Sequence, residues 1–133
     1  MTPLFAKLNW KGHAPICVID APASFDDERA AMAEVEWIES APDNGEPLPF
    51  LLAFVTTRQR VGEIAALVDR NTQNDAIVWL AYPKKSSRRY ASEVARDTGW
   101  EPLRAIGFDT VRQIAIDEDW SALRFRRMRY IVR

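Results

Sequence analysis

Pro49-Phe50-Leu51-Leu52-Ala53-Phe54-Val55 is an uncharged apolar run that ends in Thr56-Thr57. An amphipathic stretch from Arg58 to Arg70 follows. A second apolar run, Ala76-Ile77-Val78-Trp79-Leu80-Ala81-Tyr82, then stops at Pro83-Lys84-Lys85. Runs this short and this apolar read as strands buried on both faces. Between them Val61, Ile64, Ala65 and Val68 recur at i, i+3, i+4 and i+7, one stripe of a helix, while Arg58, Arg60, Glu63 and Asp69 take the other side. Strand, crossover helix and strand make a parallel pair. Sheets of this kind place binding sites outside the carboxyl ends of their strands.

Upstream, Thr2-Pro3 reads as a helix start, with a hydroxyl cap and proline at the first helical position, and Leu4 to Leu8 as a short helical turn. Lys11-Gly12-His13 turns the chain into a first buried strand, Pro15 to Asp20, which stops at Ala21-Pro22. Ser24 opens the next helix. Asp27 stands in an acidic variant of the capping box, Asp26 and Glu28 suit the positive helix end, and Phe25, Met32, Ala30, Ala31 and Ala33 are placed to face the sheet. Val35 to Glu39 reads as a short second strand. Ser40 to Leu48, with Pro42, Asn44-Gly45 and Pro47, is a loop.

Downstream, Asn71 is placed to stop the crossover helix. Tyr90 to Thr98 reads as helical until Gly99 interrupts it. Thr98 and Glu101 can form a capping box for a further helix that tolerates Pro102 and ends at Gly107. Asp109 to Ile116 and Trp120 to Arg127 read as an antiparallel hairpin around Asp117-Glu118-Asp119. In its second strand Leu123 and Phe125 alternate with Arg124 and Arg126, one covered face and one wet one.

At 133 residues the chain is expected to form a single α/β domain, residues 1–133, with one real core. No apolar run approaches the length of a membrane span, and no secretory signal is evident. A lone cysteine, Cys17, excludes an intrachain disulfide and suits a reducing, cytoplasmic setting. The net charge of −1 conceals an asymmetry: residues 1–57 hold three basic and nine acidic side chains, and residues 58–133 hold fifteen basic and ten acidic. That pattern reads as a solvated surface of mixed sign or as a basic face for an anionic or acidic partner.

Four stretches carry a resemblance. They are Lys11-Gly12, Ala21-Pro22-Ala23-Ser24-Phe25, Trp79-Leu80-Ala81-Tyr82-Pro83-Lys84-Lys85-Ser86, and Val111 to Phe125 with its Ile116-Asp117-Glu118-Asp119-Trp120-Ser121-Ala122-Leu123. Across nearly the whole chain the sequence resembles a family of small uncharacterised bacterial proteins, a domain of unknown function similar to a reduced Rossmann-type methyltransferase. The resemblance implies a three-layer sandwich with a mostly parallel sheet, a C-terminal antiparallel hairpin and strand order 2-1-3-4-6-5. It implies no activity. The connection from strand two to strand three is then a bare loop of about nine residues, short for a parallel crossover.

Methyltransferase-like domains cradle an adenosyl cofactor with a glycine-rich loop after strand one, where backbone must come close to the ligand. Here that loop, Asp20-Ala21-Pro22-Ala23-Ser24, has no glycine, and Pro22 removes a donor. Glu39, at the end of strand two, is left as a ribose partner. No cofactor is therefore expected. Strand order reverses between strands one and three, so Asp20, Ser24, Thr56, Thr57 and Arg58 should flank the crevice. Lys84 and Lys85 end strand four, and together these residues form a candidate anion site.

Conventional catalysis finds no constellation. His13 is the only histidine and lies at the amino end of the sheet, while Cys17 reads as a buried hydrophobe. Asp117, Glu118 and Asp119 read as a hairpin loop or, more sharply, as a cation site, and no metal is expected. Arg124, Arg126, Arg127, Arg129 and Arg133, with Phe125 and Tyr130, form a basic tail. It reads as a protected edge strand or as a stacking surface for nucleic acid, which the acidic pI disfavours. Trp37, Trp100 and Trp120 lie near strand ends, as core lids or as a partner-facing patch.

Two functional readings stand. One is a non-catalytic binding or interaction module on a degenerate methyltransferase-like scaffold. The alternative is an enzyme or sensor that binds a small anionic or nucleotide-like ligand at the carboxyl ends of the strands. The partners implied are a small anionic ligand or a protein, without membrane, with nucleic acid disfavoured, for a monomer or weak homodimer.

Overall fold

The computed structural model describes residues 1–132. Its elements in chain order are α1 (Pro3–Lys7), β1 (Ile16–Ile19), a 3-10 turn Ala23–Phe25 leading into α2 (Asp26–Ala31), β2 (Trp37–Ile38), β3 (Phe50–Phe54), α3 (Arg58–Asn71), β4 (Ile77–Pro83), α4 (Glu101–Ala105), β5 (Phe108–Ala115), β6 (Trp120–Arg127) and a second 3-10 turn, Met128–Tyr130. The strands form one six-stranded sheet in the order β2-β1-β3-β4-β6-β5. β1 pairs in parallel with β2 and β3, and β3 with β4, while β6 is antiparallel to both β4 and β5. The order is the one that the methyltransferase likeness implies.

β3 and β4 lie in parallel register, Phe50 beside Ile77 through Phe54 beside Ala81, and every residue of both is buried. Burial on both faces is why neither run alternates. Leu51, Ala53, Val78 and Leu80 face a core closed by Val61, Ile64, Ala65 and Val68 of α3 and by Trp100 and Leu103 at α4. Phe50, Leu52, Trp79 and Ala81 face a second core closed by Leu4, Phe5 and Leu8 of the α1 segment and by Phe25 and Met32. Trp79 clips the layers together, because its indole Nε1–H donates to the Leu8 carbonyl at 2.9 Å.

The short link from β2 to β3 works because β2 is only two residues long, so little length has to be retraced across β1. It packs Leu48 into the core, and the Leu48 N–H donates to the Asn71 carbonyl at 2.7 Å.

Several local expectations fail. Residues 90–98 form no helix. The Ser87 hydroxyl accepts from the N–H groups of Arg89 and Tyr90 and donates to Asp119, while Ser92 pairs with both the N–H and the carbonyl of Val94. Such local side-chain bonds compete with helical ones. The Thr98–Glu101 capping box is absent, and α4 starts from Trp100 without a side-chain cap. Ser24 caps nothing either, since its hydroxyl faces Asp117 at 3.5 Å and α2 starts from Phe25. Ala30, Ala31 and Ala33 are all exposed, because α2 buries none of its own residues and only Phe25 and Met32, at its two ends, reach the core. The stop of α3 is Thr72, not Asn71: it turns extended, and its hydroxyl donates to the Val68 carbonyl. Trp100 and Trp120 are buried, so they form no partner-facing patch.

Candidate functional site

At the carboxyl end of β1 the chain leaves the sheet through Asp20, whose φ of 58° lies in the left-handed region. Pro22 is extended, and the Phe25 N–H then closes the 3-10 turn onto the Pro22 carbonyl at 2.9 Å. Opposite, at the end of β3, Thr57 caps α3, its hydroxyl accepting from the Arg60 N–H at 3.1 Å. Side chains lean toward the N-terminus of their helix, so an arginine in the first turn reaches over that end. Arg60 does so. Its Nε–H donates to Asp20 Oδ2 at 2.8 Å and its Nη1 to Glu63 Oε1 at 3.1 Å. The bond to Asp20 first, and that to Glu63 after it, hold the guanidinium pKa above its usual value against the opposing effect of burial.

Asp20, Arg60 and Glu63 form one wall of a cleft of about 540 Å³, with Thr56, Thr57 and Gln59 beside them. Tyr90 and Trp120 form the other wall, over Phe54. Trp120 meets Phe54 edge-on at 5.0 Å and the tilted Tyr90 ring at 4.9 Å, so the apolar wall is a braced aromatic cluster. The Trp120 Nε1–H is buried without a hydrogen bond among the described residues.

Of the residues read as a site from the sequence, Asp20, Thr56 and Thr57 come together in this cleft. Arg58 does not line it, and its backbone N–H donates to Glu93 Oε1 at 2.9 Å. Ser24 is also outside the lining. Lys84 and Lys85 border a separate hollow of about 380 Å³ with Tyr82, Arg96, Asp97 and Gln113. Arg60 and Tyr90 were not singled out from the sequence. For Arg60 the signal was present, as a long cationic side chain in the first turn after a Thr cap. For Tyr90 the mistaken helix hid it.

The remaining reactive groups stand elsewhere. His13 lies at the amino end of the sheet against Phe50, and its Nδ1 accepts the Lys11 N–H at 3.3 Å. Burial first, then the charges of Arg124 and Lys11, lower its pKa. Burial pushes the Cys17 thiol up to about 11. In the hairpin loop Asp117 Oδ1 accepts the N–H groups of Asp119 and Trp120, a turn-forming role. No group of three His, Cys, Asp or Glu side chains is placed to hold a metal among the described residues.

No protein-family model matches the chain, and no curated protein matches it. Solved structures do match, and they include several methyltransferases, among them a SAM-dependent methyltransferase of Aquifex aeolicus. The antibiotic-resistance methyltransferase Kmr superposes with a TM-score of 0.52 over 94% of this chain and 92% of its own, at 13% identity. The N-methyltransferase NodS of Bradyrhizobium japonicum, with bound S-adenosyl-L-homocysteine, gives 0.53 over 84% and 66%, also at 13% identity. Fibrillarin of Aeropyrum pernix, with S-adenosyl-L-methionine, gives 0.51 over 83% and 54%, at 14% identity. The chain spans about half the length of the fibrillarins it matches. At these identities the likeness defines the class of fold, the Rossmann-like methyltransferase sheet, and nothing finer.

That class implies an adenosyl cofactor at the end of β1, and the residues present there do not fit it. The loop has Pro22 and a 3-10 turn where backbone would have to approach the ligand. Asp20 is held by Arg60 across the crevice. Glu39, left as a ribose partner, is paired with Arg29 at 2.9 Å.

Proposed function

We propose that the protein is a binding module on a methyltransferase-type frame, which takes a small nucleoside-like ligand in the cleft between β1 and β3 and transfers no methyl group. The observation that carries this reading is the Arg60–Asp20 ion pair, laid across the crevice from α3 to the end of β1. It occupies the carboxylate at the mouth of the cofactor loop and leaves a cleft with a polar wall and an aromatic wall. A flat ring stacks on the half-exposed Tyr90, which the buried Trp120 backs, while the hydroxyls of Thr56 and Thr57 and the amide of Gln59 supply hydrogen bonds. Asp20 and Glu63 outnumber Arg60 and already share its guanidinium, so a phosphate in this cleft would compete with both. The ligand assigned to the cleft is therefore a neutral nucleoside rather than a nucleotide. In this reading Lys84 and Lys85 serve the neighbouring hollow, and Ser24 and Arg58 support the rim.

Tryptophan fluorescence, which Trp120 reports from the cleft wall, tests this with a panel of nucleosides, nucleotides, S-adenosylmethionine and S-adenosylhomocysteine. A nucleoside is expected to bind, and Tyr90→Ala is expected to weaken it about tenfold, the loss of one stacking partner. Tighter binding of S-adenosylmethionine than of any nucleoside, or methyl transfer above background, overturns the reading.

A further inference from the structure

Arg124 of β6 lies beside Trp79 of β4 on one side and directly opposite Arg112 of β5 on the other. Cross-strand partners share a face of the sheet, so both arginines rise on the side that carries Trp79, toward the amino half of β4 and away from the cleft. Like charges directly opposite each other destabilise a strand pair. Arg124 is also half-buried, and its Nε–H is enclosed without a hydrogen bond among the described residues. Burial first, then Arg126 and Arg112, lower its pKa, and Asp75 is the one carboxylate that acts the other way. Asp75 is already taken: Arg126 donates to both of its oxygens, at 2.8 and 2.6 Å. His13, close enough to feel Arg124 and Lys11, adds no negative charge.

A guanidinium withdrawn from water and facing a second one is costly unless an anion joins them. Two guanidinium forks offer paired N–H groups that match a tetrahedral oxyanion. We propose that Arg112 and Arg124 together form a binding site for a phosphate group, separate from the cleft.

Inorganic phosphate, titrated at constant ionic strength against a chloride control, tests the site by calorimetry and melting temperature. A saturable rise of about 5 °C is expected at ten times the Kd. Arg112→Gln and Arg124→Gln are each expected to weaken binding at least tenfold, the loss of charged hydrogen bonds. Arg112 is exposed, so its variant keeps the test sound even if Arg124→Gln folds poorly. Displacement of phosphate by pyrophosphate assigns the group to a small molecule, and displacement by a short single-stranded oligonucleotide assigns it to a phosphodiester chain; both uphold the site. No rise beyond the chloride control, or a rise that Arg112→Gln leaves intact, overturns it.

Discussion

Asp20 and Arg60 show how one side chain redirects a whole crevice. Both are partly exposed, so their ion pair adds little stability, yet its position decides what the cleft can hold. Two other residues make sharper tests at this scale. Cys17 is fully buried and its thiol is pushed up to about 11, so it should resist a disulfide reagent at pH 8 in the native protein and react at once in denaturant. Rapid modification without denaturant would contradict the burial. His13 is held below its ordinary pKa of 6.5, so the unfolded chain takes up a proton before the folded one does. Its contribution is complete above about pH 6.5 and is lost as pH falls from there toward the lower folded value. Urea unfolding at pH 7.5 and 5.5 should show a smaller drop for His13→Gln than for the wild type; an equal drop refutes the assignment. The candidate residues were legible where chain position alone placed them, as with Asp20, Thr56 and Thr57. Lys84 and Lys85 end a strand as read, but the direction of their side chains toward a second hollow is no property of local sequence.

Among the elements, those with a strong period were legible and those specified by side-chain bonds were not. α3 appears over Arg58–Asn71, with the four apolar residues of its stripe all buried. Its start is reinforced from a distance, because Glu93 accepts the Arg58 N–H and donates its own N–H to the Thr56 carbonyl. That tie draws the 84–100 segment over the site and carries Tyr90 to the cleft wall. The same segment looked helical because alanine, glutamate and valine permit a helix, but Ser87 and Ser92 bond locally instead. Gly99 ends it at φ 103°, where an added Cβ would lie 2.6 Å from Val94 Cγ1. Gly99→Ala should therefore cost about 1–3 kcal/mol in urea unfolding, from backbone strain and displaced Val94. A loss below half of that would show that the segment yields freely.

Over the whole molecule, stability rests on two cores separated by one sheet, and Trp79 joins the sheet to the α1 layer. Trp79→Phe removes the indole donor and leaves the Leu8 carbonyl unpaired, an expected loss of about 1–3 kcal/mol. Trp79→Ala adds a cavity and should cost about 3–5 kcal/mol. Equal losses for the two variants, measured by urea unfolding, would mean that the hydrogen bond dominates and the packing matters little. The charge asymmetry seen along the chain also acquires a place at this scale. Arg124 and Arg126 stand on one face of the terminal hairpin, and Asp75 hydrogen-bonds the second while it acts on the first only through its charge.

The amino-acid sequence by itself determined the parallel core pair, the crossover helix with its buried stripe, and the terminal hairpin. Each is written in short-range signals: uncharged runs, a 3.6-residue period, a hydroxyl cap, a polar loop. Only the tertiary structure decided that Arg60 would close on Asp20, 40 residues away, and that Tyr90 would wall the cleft. Those contacts depend on which strands are neighbours and how a helix docks across them, and no local pattern carries that geometry.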